Sequence, residues 1–341
     1  MINVNKILLL FVVFLSFYIT PLRAEDKLKV EVLIAGDWGT QGGQFGIEKT
    51  GKTELGYALD FFVTADNIYI LDSINNRIQV FDVQGKLKEI IKLNIKWQEF
   101  GLPWNFTMFQ NYFYMLIGKP PYYSPVGLRE VFIFSKDGQL IRTFGKEQLA
   151  KDKEEYYYRV LQDGNSGDIV CGINGNKIIA FDSDGTYRDK LMITKGYPIE
   201  TIKLQSITPM GYLLVNRNKP KKKEKRTVIF DTRKKMVKNE IDGNYFACDK
   251  DDNYYRIKSH KDRRGAALLT NIDIYNAKGN QLKTFSLAGD IKVSKNNNEK
   301  VFHTVGIFYE QSQVDPEGNI YYLMALKDGV ILRKIVWKDG K

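Results

Sequence analysis

A strand that ends in a short polar turn recurs six times along this chain of 341 residues. The copies follow one another at intervals of roughly 45 to 60 residues, and glycine closes the turn in five of the six. Glycine suits that position because a tight hairpin needs a positive φ. A second polar turn and another short strand rich in Ile, Val, Phe and Tyr precede each copy. The chain is therefore predicted to be all-β and built from antiparallel hairpins.

Repeats of this length with several strands each are typical of propeller blades. The sixth repeat reaches the end of the chain directly after its turn, where a fourth strand would begin. Residues 28–34 resemble the fourth strand of the first repeat, residues 87–93. We therefore predict a six-bladed β-propeller of four-stranded antiparallel blades, a single domain over residues 25–341, whose N-terminal strand completes the last blade.

Residues 67–82 form the most specific repeat, and residues 42–45 precede it as a Gly-Gly-Gln-Phe linker. Together they resemble the repeat of the NHL family, through Asp72, the Asn76-Arg77 pair and the Ile78-Gln79-Val80-Phe81 run. The resemblance is looser in the other five blades, which keep the turns but lack the Asn-Arg pair. It implies a six-bladed propeller without choosing among scaffold, nucleic-acid binder and enzyme, since the family includes all three.

The first residues indicate export. Lys6 precedes an apolar run over residues 7–20, and Ala24 follows it, which is the pattern of a signal peptide over residues 1–24. An uncleaved anchor is the alternative; after cleavage no membrane span is expected. We expect a periplasmic or extracellular protein, and cleavage would lower the formal net charge of +11 by Lys6 and Arg23 to +9.

Basic residues concentrate in the predicted loops between the second and third strands of blades four and five. Equivalent loops of adjacent blades emerge on one face of a propeller, so the two runs are expected to merge into one positive patch. The equivalent loop of blade two carries two tyrosines, which suit contact with a partner. The candidate binding residues are Lys221, Lys222, Lys223, Arg226, Lys261, Arg263, Arg264, Tyr122 and Tyr123. A solvated loop without a partner is the alternative interpretation.

Evidence for catalysis is sparse, and we predict no catalytic residues and no cofactor. A calcium or zinc site would need several convergent ligands. The only candidates are Asp60 and Glu310, on the predicted innermost strands of neighbouring blades. The two histidines, His260 and His303, fall in different blades, which disfavours a zinc lyase.

Residues 46–53 match the phosphate-binding P-loop pattern letter for letter, but a P-loop links a strand to a helix and none is predicted here. Cys171 and Cys248 lie in blades that do not touch, so we expect buried free thiols.

These features favour a non-catalytic exported propeller that binds a protein or an anionic polymer or surface through its loop face, with a place in a larger assembly as one possibility. The alternative is a propeller enzyme of the lactonase or lyase type, with a metal in the central channel. Nucleic acid is a disfavoured partner because the protein is expected to be exported.

Overall fold

The computed structural model describes residues 29–50, 54–56, 59–95, 101–118, 130–148, 157–163, 167–173, 177–191, 201–208, 210–219, 224–232, 234, 236–261, 267–286, 291–295, 298–302, 309–326 and 329–337. Over these ranges the chain forms six four-stranded antiparallel sheets. Two short hairpins and one 3-10 turn at Lys146–Gln148 are the additional elements. The predicted six-bladed β-propeller is confirmed.

Each blade runs from an inner strand at the central channel to an outer strand. Blade one comprises β4 (Leu59–Val63), β5 (Asn67–Asp72), β6 (Arg77–Asp82) and β7 (Leu87–Lys92); blade two comprises β8 (Leu102–Phe109), β9 (Tyr112–Gly118), β10 (Val131–Ser135) and β11 (Leu140–Phe144); blade three comprises β12 (Tyr157–Gln162), β13 (Ile169–Ile173), β14 (Lys177–Phe181) and β15 (Tyr187–Leu191).

The second half of the ring follows the same order. Blade four comprises β16 (Thr201–Ile207), β17 (Tyr212–Lys219), β18 (Glu224–Asp231) and β19 (Met236–Asp242); blade five comprises β20 (Ala247–Cys248), β21 (Tyr254–Lys261), β22 (Ala267–Tyr275) and β23 (Gln281–Ser286); blade six comprises β26 (Tyr309–Val314), β27 (Ile320–Leu326), β28 (Gly329–Val336) and β1 (Lys29–Gly36). The two hairpins are β2 (Glu48–Thr50) with β3 (Glu54–Gly56), and β24 (Ile291–Lys295) with β25 (Asn298–Phe302).

The N-terminal strand closes the ring as predicted. β1 pairs antiparallel with β28 from Lys29 opposite Val336 to Gly36 opposite Val330. Six hydrophobic clusters of buried residues hold the blades together, one at each junction between neighbours. The junction of blades six and one contains Ile34 of β1, so the first strand contributes to the core as well as to the sheet.

The turns that end the third strands pack against the preceding blade. Gly85 has φ +83°, and a Cβ built on it would lie 1.8 Å from the carbonyl oxygen of Leu33 in β1. Gly138 has the same φ and would meet the carbonyl oxygen of Lys92 in β7 at 2.1 Å. Glycine is therefore required at these turns both by the backbone conformation and by the close approach of the neighbouring outer strand.

The motif over residues 67–82 binds the segment that leads from β1 into blade one. The Arg77 guanidinium contacts the Asp72 carboxylate, with Nε 2.8 Å from Oδ2, and donates to the carbonyl oxygens of Thr40, Gln41 and Gln44. Asp72 is fully buried and also accepts a hydrogen bond from the Gly46 amide at 2.8 Å. These contacts hold the closing segment against blade one.

The two cysteines and part of the P-loop match fall within the described residues. Cys171 and Cys248 are free and buried, as predicted. The described part of the P-loop match lies on the β2–β3 hairpin and not at the start of a helix, so its required context is absent there. No described helix is long and apolar enough to cross a membrane. The predicted signal peptide, residues 1–24, lies outside the described residues.

Candidate functional site

The inner strands place a polar cluster in the central channel. Asp60 lies on β4 of blade one and is buried. Its carboxylate accepts hydrogen bonds from the Phe61 amide at 2.8 Å, the Phe106 amide at 3.0 Å and Asn105 Nδ2 at 2.7 Å. Both carboxylate oxygens are therefore held by donors from blades one and two.

Asn105 extends this cluster to a third blade. Its Oδ1 accepts a hydrogen bond from the Val160 amide of β12 at 2.7 Å. Because the Val160 amide can only donate, the Asn105 side chain must direct its oxygen to β12 and its NH₂ group to Asp60. The polar chain thus ties together the inner strands of blades one, two and three.

Burial raises the pKa of Asp60 to about 6, because water no longer solvates the ionised carboxylate. The Arg159 charge and the three hydrogen bonds act in the opposite direction and limit the rise. Arg159 lies on blade three and Asp60 on blade one, two blades that share no junction. Their electrostatic interaction therefore acts through the channel.

Lys203, on β16 of blade four, is the second cation of the cluster. The Lys203 side chain is accessible to solvent, but the surrounding protein removes part of its hydration. This desolvation, together with the nearby Arg159 charge, lowers the pKa of Lys203. Asn105, Arg159 and Lys203 were missed from the sequence. Polar residues within otherwise apolar strands were the available signal, but their spacing in the sequence does not show that the three positions meet in the channel.

The metal candidates are only partly placed. Asp60 and Glu310 lie on β4 and β26, inner strands that contact one another, as expected. The Glu310 side chain is outside the described residues. Among the side chains that the structure describes, no group of three His, Cys, Asp or Glu residues could hold a metal ion. His260 lies on β21, and His303 is outside the described residues.

The predicted connections are present in the topology, but Arg226 and Lys261, predicted to lie in the loops, lie on strands β18 and β21. Residues 220–223 connect β17 to β18 in blade four, and residues 262–266 connect β21 to β22 in blade five. Tyr122 and Tyr123 fall in the equivalent connection of blade two, between β9 and β10. All three connections lie outside the described residues, as do the side chain of Lys261 and the whole of Lys221, Lys222, Lys223, Arg263 and Arg264.

Arg226, on β18 at the base of the blade-four loop, is described. Its Nη1 lies 3.4 Å from Oε2 of Glu240, and its Nε lies 3.5 Å from Oδ1 of Asp242. Arg217 makes a bidentate pair with the same Glu240, at 3.0 Å for both bonds. Two arginines and two carboxylates therefore balance each other at the base of this loop.

The base of the blade-five loop is arranged similarly. Lys258 Nζ lies 2.6 Å from Oδ2 of Asp273, and Arg256 Nη2 lies 3.3 Å from the same oxygen. Thr284 also donates to Asp273, from Oγ1 at 2.7 Å. These hydrogen bonds outweigh desolvation and lower the pKa of Asp273, which keeps its carboxylate ionised at neutral pH. At this base two cations share one carboxylate, so the base as well as the loop contributes positive charge to this face.

No family model and no curated protein matches the chain. Among solved structures, the chain is similar to hydrazine synthase of Kuenenia stuttgartiensis, with 12% identity and a TM-score of 0.46 over 77% of this chain and 71% of that one. A streptogramin B lyase structure has 12% identity and a TM-score of 0.48, over 92% and 100% of the two chains. A chain of the mitotic checkpoint complex has 8% identity and a TM-score of 0.46, over 82% and 74%. At these identities and scores, the likenesses say nothing about what this protein binds or catalyses.

Proposed function

We propose that this protein is an exported, non-catalytic propeller of the NHL type that binds a protein or anionic polymer through the loops between its second and third strands. One observation carries the proposal. The connections over residues 220–223 and 262–266 occupy equivalent places in adjacent blades, and each is rich in lysine or arginine. Equivalent connections emerge on one face of the ring, so their charges add.

The tyrosine-bearing connection of blade two emerges on the same face. Tyr122 and Tyr123 follow two prolines, which limit the conformations of the loop. Tyrosine supplies contact area with few side-chain torsions to immobilise, so it binds partners at a small entropic cost. Positive charge would then bring an anionic partner to this face, and the tyrosines would contribute short-range contact.

A heparin column tests the proposal, with heparin as the anionic probe. Replacing Lys221, Lys222 and Lys223 by glutamine should lower the salt concentration of elution, and replacing Lys261, Arg263 and Arg264 as well should lower it further. Replacing Tyr122 and Tyr123 should weaken binding with little change in its salt dependence, since exposed charges act over a screening length of about 8 Å but aromatic contact does not.

The matched control removes three lysines from the opposite face. Lys234, Lys250 and Lys278 are exposed and lie in the turns at the other ends of the strands of blades four and five. Their replacement changes the net charge equally but should leave elution close to wild type. If the control variant elutes as early as the loop variants, net charge alone governs binding, and the proposed face is wrong.

The alternative is an enzyme of the lactonase or lyase type with a metal in the channel. The buried Asp60 on an inner strand is the observation that favours it. Metal analysis of the purified protein separates the two functions. Stoichiometric calcium or zinc that is lost in Asp60→Ala and Glu310→Ala would favour the enzyme over the binding protein.

A further inference from the structure

Two cations of the channel have no carboxylate partner within the described residues. Neither Arg159 nor Lys203 makes a salt bridge there, whereas Arg217, Arg226 and Arg256 at the bases of the loops each pair with a carboxylate. Among the described residues, the buried Arg159 Nε has no hydrogen-bond partner. A buried donor without an acceptor costs free energy, and two nearby like charges repel. This arrangement suits an external anion that would satisfy both groups.

The backbone is irregular beside Arg159 and Asn105. In β12 the pairing with β13 shifts between Tyr157 and Arg159, so Arg159 directly follows a bulge. β8 shifts in the same way before Asn105, which holds Asp60. A bulge redirects the side chain beside it and is common next to binding sites. The equivalent bulges of two blades therefore place Arg159 and Asn105 around the same part of the channel.

This part of the channel opens towards the face that carries the basic loops. Each inner strand begins at the face where the second strand of its blade ends, because the two strands are antiparallel. Arg159 and Lys203 are each the third residue of their inner strands. Lys203 lies opposite Asn216, only four residues before the loop over residues 220–223. The cations are thus near the entrance that the loops surround.

Asp60 does not neutralise the cations by direct contact. Asp60 Oδ1 accepts from the Phe61 amide, and Oδ2 accepts from the Phe106 amide and Asn105. Among the described residues, neither Arg159 nor Lys203 makes a salt bridge to either oxygen. The carboxylate instead fixes the position of Asn105 and, through it, of β12. Asp60 is therefore a positioning residue for Arg159.

We infer that Arg159 and Lys203 form an oxyanion-binding site at the channel entrance, which holds one carboxylate or phosphate group of a ligand. The inference rests on the proposed function in one respect, the face from which the ligand enters. The two residues of the site lie on the described inner strands β12 and β16. Guanidinium and ammonium groups bind either oxyanion through charge-assisted hydrogen bonds. The remainder of the ligand would extend to the loops.

Calorimetric titration of the purified full-length protein, at physiological ionic strength, tests the site with inorganic phosphate and succinate as probes. Wild-type protein should bind at least one probe saturably, with one site per chain. Binding of phosphate alone would identify a phosphate-bearing ligand, and binding of succinate alone a carboxylate-bearing one. Arg159→Gln and Lys203→Gln should each weaken the binding roughly tenfold or more, because each removes a charge-assisted hydrogen bond.

Lys278→Gln is the matched control, since it removes one exposed charge from the opposite face and should bind the probe like wild type. Lys203→Gln should keep the melting temperature of wild type or exceed it, which shows that the fold is intact. Wild-type protein that binds neither probe, or channel variants that bind like wild type, would overturn the site. Two readouts tell the proposals apart: heparin elution of the Lys221, Lys222 and Lys223 variant reports on the loops, and titration of Lys203→Gln with the small probes reports on the channel site.

Discussion

Replacing Gly85 tests how tightly the closing strand β1 packs against blade one. In Gly85→Ala the new residue must hold φ near +83°, which costs about 1 to 2 kcal/mol for a residue with a Cβ. Its Cβ would also lie 1.8 Å from the carbonyl oxygen and 2.5 Å from the carbonyl carbon of Leu33. These are backbone atoms of the closing strand and cannot rotate away, so overpacking should cost about 1 to 3 kcal/mol more. We expect a total loss of roughly 2 to 5 kcal/mol in the free energy of unfolding.

Gly279→Ala is the matched control, because it has φ +79° in the equivalent turn of blade five and nothing within 4 Å of its Cβ. It should show only the conformational cost, about 1 to 2 kcal/mol. Gly138→Ala, whose Cβ would meet the Lys92 carbonyl oxygen at 2.1 Å, reports an internal junction for comparison. Urea unfolding followed by fluorescence measures all three. Equal losses for Gly85→Ala and Gly279→Ala would refute the tight packing of β1 on blade one.

Three further predictions concern the same framework. Arg77→Met should lower the free energy of unfolding by about 3 to 5 kcal/mol, because it leaves the buried Asp72 carboxylate without its cation; urea unfolding at neutral pH measures the loss. The pKa of Asp60 is raised to about 6 from an ordinary value of about 4, so between these pH values the folded state retains a proton that the unfolded chain releases. The contribution of Asp60 to stability should therefore fall by about 3 kcal/mol as the pH rises through this range. The difference between wild type and Asp60→Asn, measured by urea unfolding across this range, isolates that contribution, and a flat difference would contradict it. Deleting residues 25–34 should lower the melting temperature of the whole domain, because it removes most of β1, and a variant that melts like wild type would contradict the closure.

The architecture could be predicted because its signals are local and repeated. A glycine in a turn such as Asp82–Gly85 is required by one backbone angle and by one approaching strand, so it recurs wherever a blade recurs. Closure was predictable for the same reason, since residues 28–34 look like any other fourth strand. Because the fold repeats, the same local signals occur several times in one sequence.

The channel could not be predicted in the same way, because its residues meet only in the folded ring. Asp60, Asn105 and Arg159 lie on three different blades, and nothing in their sequence spacing brings them together. The bulges that orient Asn105 and Arg159 leave no clear sequence signature either. Only Asp60 was recognised beforehand, and only as a candidate metal ligand. The structure instead describes it as the acceptor of three protein hydrogen bonds.

Differences between blades are a better guide to function here than the motif that most resembles a known family. Asp72 and Arg77 belong to that motif, yet their side chains are occupied in holding the segment that closes the ring. Arg159 and Asn105 both directly follow a bulge in an inner strand. In blade two this residue is an amide with both groups hydrogen-bonded, and in blade three it is a cation whose Nε has no partner among the described residues. The fold needs the bulge but not the charge. Because the repeat does not require a cation at this position, Arg159→Gln is the most direct test of the inferred oxyanion site.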